Sequence, residues 1–129
     1  MTTLKVGIAS YEEMKARTMA VARGERRVAA DEPKVWFTSA ESFARVLSDR
    51  NRALLAIIAE SGPESLAHLA ELTGRKKSNL SRTLKTMERY GFVQLSHGAR
   101  GSVIPRVPYQ KISLTLTLSK LGRQGTEAA

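Results

Sequence analysis

"ESLAHLAELTGRKKSNLSRTLKTMERYGFV", residues 64–93, decides the fold because its punctuation delimits two short helices. Ser65 is placed as an N-cap, Leu66, Leu69 and Leu72 recur at the spacing of one buried helix face, and Gly74 supplies the stop. Barely three residues later a second helix begins, at Lys76 or Ser78, and runs to Tyr90 before Gly91 ends it. Two short helices joined by a tight glycine-containing turn form a helix-turn-helix.

The second helix has two unlike sides. At about 100° per residue, Leu80, Leu84 and Met87 share a narrow apolar sector, while Ser78, Arg82, Lys85 and Arg89 lie nearly opposite. Asn79 and Thr86 flank that polar side, and Glu88 projects nearer the apolar one. An ordinary solvated helix face mixes Glu with Lys at four-residue spacing, because such pairs add stability. Here the acids are missing. A helix of this width enters the major groove of B-DNA, where Arg and Lys contact guanine or phosphate, Asn pairs with adenine and Ser bonds to either.

Charge along the chain supports a focused anionic contact. The formal net charge is +9, yet residues 1–74 hold ten Lys/Arg against ten Asp/Glu. Residues 75–111 hold nine Lys/Arg and one acid, Glu88, so nearly all the excess falls in the helix and the segment directly after it. Beyond Gly91, "FVQLS" and "SVIPRV" are β-type runs separated by "HGARG", with Arg100 at the tip of a turn that Gly98 and Gly101 permit. Such a wing can place its arginine in a minor groove or on phosphate; an arginine at a hairpin tip also serves solubility alone.

Other chemistry finds little support. With no cysteine, disulfides, thiolate zinc sites and a cysteine nucleophile are excluded. "GRKKS" lacks the upstream glycine of a phosphate-binding loop, since Leu69 stands there. His68 and His97 have no companions at metal-ligand spacing, and Ser96 beside His97 cannot form a triad because strand neighbours point to opposite faces. The sequence therefore predicts no catalytic residues, no metal and no cofactor. No apolar run approaches the roughly 18 residues of a membrane span, so a cytoplasmic protein with no membrane contact is expected.

The rest of the chain reads in order. "LKVGI" alternates as a short strand, with Leu4, Val6 and Ile8 on one side. Ser10 caps a helix through residues 11–24 whose Tyr11, Met14, Met19 and Val21 make an untidy stripe, and "ADEPKVW" reads as a linker. "SAESFARVLS" and "DRNRALLAIIAESGP" are helices, the first with Phe43, Val46 and Leu47 inside, the second with Leu54, Leu55, Ile57 and Ile58. "KISLTLTL" alternates as a further strand, and "GRQGTEAA" as a frayed tail.

The run from Ala53 to Leu95 resembles the winged helix-turn-helix of MarR-type bacterial and archaeal regulators: Ser78, Leu80, Ser81, Arg82, Leu84, Glu88, Gly91 and Val93 stand where that pattern wants them. With "KVGI", "WFTSAESFARVLS" and "RVPYQKISLTL", nearly the whole chain is similar to a small subfamily of MarR-like transcriptional regulators, some regarded as antitoxins encoded beside a toxin. The pattern departs from full MarR proteins in lacking their long dimerising terminal helices and sequence for their ligand pocket.

These readings predict an α+β, mainly α fold: a winged helix-turn-helix with a β-wing and an extra terminal strand pair. Residues 1–34 would form a strand-helix dimerisation arm, 35–111 the DNA-binding domain, and 112–129 a strand and tail. The terminal strands, the 10–24 helix and the pair Trp36 and Phe37 would build a homodimer, or else complete the core of one chain. The expected function is sequence-specific binding of double-stranded DNA by a transcriptional regulator, most simply a repressor, with half-sites about 34 Å apart in a dimer. Lys76 and Lys77 would hold phosphate, Ser78, Asn79 and Ser81 would hydrogen-bond base or backbone, and Arg82, Lys85, Arg89 and Arg100 would contact groove and phosphate. The alternatives are an antitoxin that binds a toxin protein and autoregulates its operon, and an RNA-binding winged helix.

Overall fold

The computed structural model describes residues 2–27, 32–116 and 118. The expected tail at 122–129, Thr117 of the expected last strand, and Ala30 and Asp31 of the expected linker lie outside the described residues. Among the described residues, five α-helices and five strands run in the order β1 (Thr3–Ile8), α1 (Tyr11–Ala22), β2 (Val35–Phe37), α2 (Ala40–Val46), α3 (Asp49–Ser61), α4 (Leu66–Thr73), α5 (Lys77–Arg89), β3 (Gln94–His97), β4 (Val103–Arg106) and β5 (Lys111–Leu116). The fold is α+β and mainly α. The described residues divide into two compact units, one built from Thr2 and residues 44–110 and the other from those of residues 3–43 and 111–118. The boundaries between the two units fall within α2 and just before β5, and β2 pairs with the N-terminal strand.

In the unit of residues 44–110 the ends of α3 and α4 have local causes. Ser48 Oγ accepts from the Asn51 amide to start α3, and Gly62, at φ 57°, ends it in the left-handed conformation that glycine adopts without penalty. Ser65 Oγ accepts from the His68 amide to start α4, and Gly74, at φ 74°, closes it. Thr73 adds a bond from its hydroxyl to the Leu69 carbonyl, and the chain turns directly into α5. The core joins Leu54, Leu55 and Ile58 of α3, Leu66 and Leu69 of α4, and Leu80, Leu84 and Met87 of α5, all buried. Burying one such side chain is worth about 1.5–3 kcal/mol, which is why apolar spacing overrides the modest helix propensity of "KSNLSRT". Leu72, expected inside α4, is 44% exposed, since an eight-residue helix offers the core only its inward turn positions.

Beyond α5, Phe92 and Val93 are buried and lead into the antiparallel pair β3–β4, registered Gln94 with Arg106 through His97 with Val103. A single 3₁₀ turn, Ala99–Gly101, joins the two strands as the expected wing.

In the other unit β1 lies between β2 and β5, parallel to both. Parallel neighbours require a crossover, and α1 provides it between β1 and β2. The segment read as a linker therefore contains a strand: Val6, Gly7 and Ile8 pair with Val35, Trp36 and Phe37. Three residues after a proline are too few for alternation to reveal. The terminal strands pair within one chain, Leu4 beside Ile112, Val6 beside Leu114 and Ile8 beside Leu116. Leu4, Val6 and Phe37 are buried, with Phe43 set edge-on to Phe37 at 5.4 Å. The other side of the sheet holds Trp36 across Gly7, with the Arg17 guanidinium 5.1 Å from the indole centre. Ser10 and Glu13 form a reciprocal capping box at the start of α1, yet no α1 residue is buried, in keeping with its irregular stripe.

Candidate nucleic-acid interface

The three buried residues of α5 fix its rotation and so decide what its other side presents. Ser78, Arg82, Lys85 and Arg89 are exposed, and Ser81 is half-buried. The expected outward face is therefore present as a surface. Among the described residues the ion pairs are Arg17 with Glu32 at 2.8 Å, Arg26 with Glu32, and Arg52 with Asp49, none of which involves a cation of residues 75–111. Arg89 reaches only the Thr86 hydroxyl, at 3.4 Å.

The entrance to α5 is also cationic. Lys76 occupies the N-cap, no side chain caps the helix there, and its first turn holds no acid. Lys76 and Lys77 face the positive end of the helix dipole, an arrangement that costs about 0.3–1 kcal/mol per charge and that a nearby anion would relieve.

Lys77 and Arg100, 23 positions apart in sequence, line one cleft of about 270 Å³. Its walls are the first turn of α4 (Ser65, Leu66 and Ala67) and the wing from Arg100 to Val103. Arg100 is exposed and adopts φ 60°, ψ 30°, left-handed backbone that side chains other than glycine resist. Gly98 allows the close turn beneath it, since a Cβ there would come within 2.7 Å of Ile104 and 2.8 Å of the Ser102 hydroxyl.

Arg75 is the residue that sequence reasoning passed over. It is half-buried in the turn between α4 and α5, and its guanidinium lies 2.9 and 3.1 Å from the Asn79 carbonyl oxygen and 3.4 Å from that of Asn51 on α3. Asn51 is anchored in turn by its side-chain Nδ2, which donates to the Val46 carbonyl at 3.0 Å. Burial first, and the nearby Arg50 cation second, hold the Arg75 pKa below its ordinary value. Arg75 is thus a half-buried positive charge with no carboxylate partner among the described residues, and the advance signal for it was an arginine directly after the helix-stopping Gly74. Asn79, expected as a free reader of bases, has its oxygen engaged by this arginine.

His68 Nδ1 accepts from the Glu64 amide at 3.3 Å, so this histidine supports the start of α4. His97 is exposed on β3, and Ser96 bonds to the Ile104 carbonyl at 3.4 Å. Among the described residues no three His, Asp or Glu side chains gather as a metal site, and no helix is long and apolar enough to cross a membrane.

Fold and surface together define an α+β protein in which a helix-turn-helix and a two-stranded wing carry an acid-poor cationic face. By comparison with known families, the chain belongs to the HVO_A0114 family, whose model matches residues 46–114. That match takes in the helix-turn-helix, the wing and most of β5. No curated protein and no solved structure matches the chain.

Proposed function

We propose that this protein is a sequence-specific double-stranded DNA-binding regulator of the MarR-like winged-helix kind, acting as a repressor in the cytoplasm. The observation that carries the reading is the outer face of α5, where Ser78, Arg82, Lys85 and Arg89 are exposed and its cations have no carboxylate partner among the described residues. Retaining such a face costs self-repulsion, which a polyanion relieves. In this reading α5 enters the major groove, Arg82, Lys85 and Arg89 contact bases and phosphates, and Lys76, Lys77 and Arg100 grip the flanking backbone. RNA is disfavoured because a protruding helix cannot enter the narrow major groove of an A-form duplex, and only 5% of residues are aromatic, too few to serve as stacking platforms.

The reading includes a homodimer. Leu114 and Leu116 are 39% and 52% exposed, and β5 pairs only with β1, which leaves its outer edge open among the described residues. Residues 112–116 carry no charge, so two such edges can meet antiparallel about a twofold axis without repulsion. The same edge supports a second reading in which a toxin protein occupies it and DNA binding is autoregulatory.

Selection of bound sequences from random duplex DNA tests the main reading. A motif with inverted symmetry, bound with a steep inverse dependence on salt, is the expected result. Equal retention of duplex DNA, duplex RNA and single strands would refute it.

A further inference from the structure

Asn79 stands in the first turn of α5, the part of a recognition helix that reaches base edges, on the flank of the outward face. Free asparagine reads adenine with both ends of its amide: the oxygen accepts from N6 and the nitrogen donates to N7. Here the oxygen is already taken. Arg75 Nε and Nη2 lie 3.1 and 2.9 Å from Asn79 Oδ1, so both lone pairs have donors. A guanidinium only donates, which means that the atom facing it must be the carbonyl oxygen and the amide cannot be turned over. Arg75 is not at liberty to release it, because its other contacts are the Asn51 oxygen at 3.4 Å and the Thr83 hydroxyl at 3.5 Å, and no carboxylate is among them. The Asn79 Nδ2 donors make no hydrogen bond among the described residues, and the side chain is half-exposed.

We propose, resting on the DNA-binding reading above, that Asn79 is held as a donor-only reader that selects guanine, and that Arg75 is the positioning residue that sets this choice. Guanine offers N7 and O6 as adjacent acceptors in the major groove. Adenine replaces one of them with a donor, which would oppose the Asn79 amide, and cytosine presents only a donor. Arg75 thereby converts an asparagine that would prefer adenine into one that rejects it.

The test compares motifs selected from random duplex DNA by the wild type, Asn79→Asp and Arg75→Met, with salt dependence and thermal unfolding measured for each. Asn79→Asp keeps an acceptor for Arg75 and replaces the outward donors with a charged acceptor. The expected wild-type motif prefers guanine by about tenfold at one position per half-site. Asn79→Asp moves that position to cytosine, whose N4 donates to a carboxylate, while the neighbouring positions are retained. Arg75→Met moves it to adenine. A purely structural role for Asn79 would leave the Asn79→Asp motif unchanged, and that result overturns the inference while the DNA reading stands. So does adenine at the Asn79-dependent position of the wild type. Should the wild type select no motif and bind without salt dependence, the DNA reading itself fails and takes the inference with it.

Discussion

Arg106 on β4 donates from Nη1 to the carbonyl oxygen of Pro63 at 3.0 Å, so the wing is tied by a charge-assisted bond to the turn that separates α3 from α4. Pro63 is buried and follows the left-handed Gly62, which makes the acceptor a fixed point of the helix-turn-helix rather than a loop. The same Nη1 lies 2.8 Å from the Pro105 carbonyl. Although Arg106 belongs to the basic stretch, its geometry assigns it to support of the wing. Replacement by Gln should lower stability in denaturant titration by about 1 kcal/mol and speed amide exchange in β3 and β4. On the DNA-binding proposal, the salt slope of binding should stay as in the wild type, and a fall of about 1 would instead make Arg106 a phosphate contact.

Arg100 predicts the opposite division between stability and binding. Its left-handed backbone costs about 1–2 kcal/mol relative to glycine, and the exposed side chain returns no bond within the chain among the described residues. Arg100→Gly should therefore hold or raise the melting temperature while it weakens DNA binding and reduces the salt slope by about 1. Lys77→Gln should give the same loss of slope. Because Lys77 and Arg100 line one cleft, the double variant should lose less affinity than the two single losses combined if both grip a single phosphate.

Arg82 separates groove contact from mere net charge. It is exposed at the centre of the outward face, and Arg82→Ala should cost about 1–3 kcal/mol of operator affinity, read by fluorescence anisotropy, with unfolding unchanged within about 0.5 kcal/mol. Arg52→Ala, which removes an equal charge paired with Asp49 on α3, should leave affinity nearly intact. Equal losses would mean that binding follows overall charge rather than this face.

Much of the helix-turn-helix was legible because its signals are local. Ser65 and Gly74 bracket α4, Gly91 follows α5, and the Leu80, Leu84 and Met87 spacing fixes which side of α5 turns inward. The exposed cations result from that rotation. The features that escaped were set by pairing at a distance: β2 is a strand only because β1 lies beside it, and Arg75 is withdrawn from the surface by Asn51, 24 positions earlier. Asn79 is expected on the flank of the outward face, yet its polarity depends on Arg75, and no periodicity encodes a hydrogen bond. The same limit applied to Leu72, whose helical spacing matched Leu69 although the core ended before it.

Gly7 reports on the sheet through Trp36. An added Cβ would sit 2.6 and 2.8 Å from indole carbons and 3.0 Å from Pro33 Cγ, and the Arg17 guanidinium lies over the same ring, 5.1 Å from its centre. Gly7→Ala should destabilise the protein by about 1–3 kcal/mol, with the fluorescence of Trp36, the single tryptophan, displaced in the native state. Undisturbed fluorescence and stability would show that the indole can step aside freely.

The dimer reading turns on β5. Leu114 and Leu116 alternate with Ser113 and Thr115 along a strand whose outer edge is unpaired among the described residues, the arrangement by which sheets of two chains join. Leu116, at 52% exposed, can be changed with little damage to the monomer's core, so Leu116→Lys places a charge at the contact and tests association without testing folding. Light scattering should move from the mass of two chains to that of one at micromolar concentration, with thermal unfolding then independent of protein concentration. Affinity for a site with two half-sites should fall toward that for a single half-site, because the second contact loses its high effective concentration. A wild type that is already monomeric, with and without DNA, would remove the dimer and leave the DNA-binding proposal standing. A wild type that forms a mixed complex with a separate toxin chain, lost on Leu116→Lys, would give the edge to that partner instead.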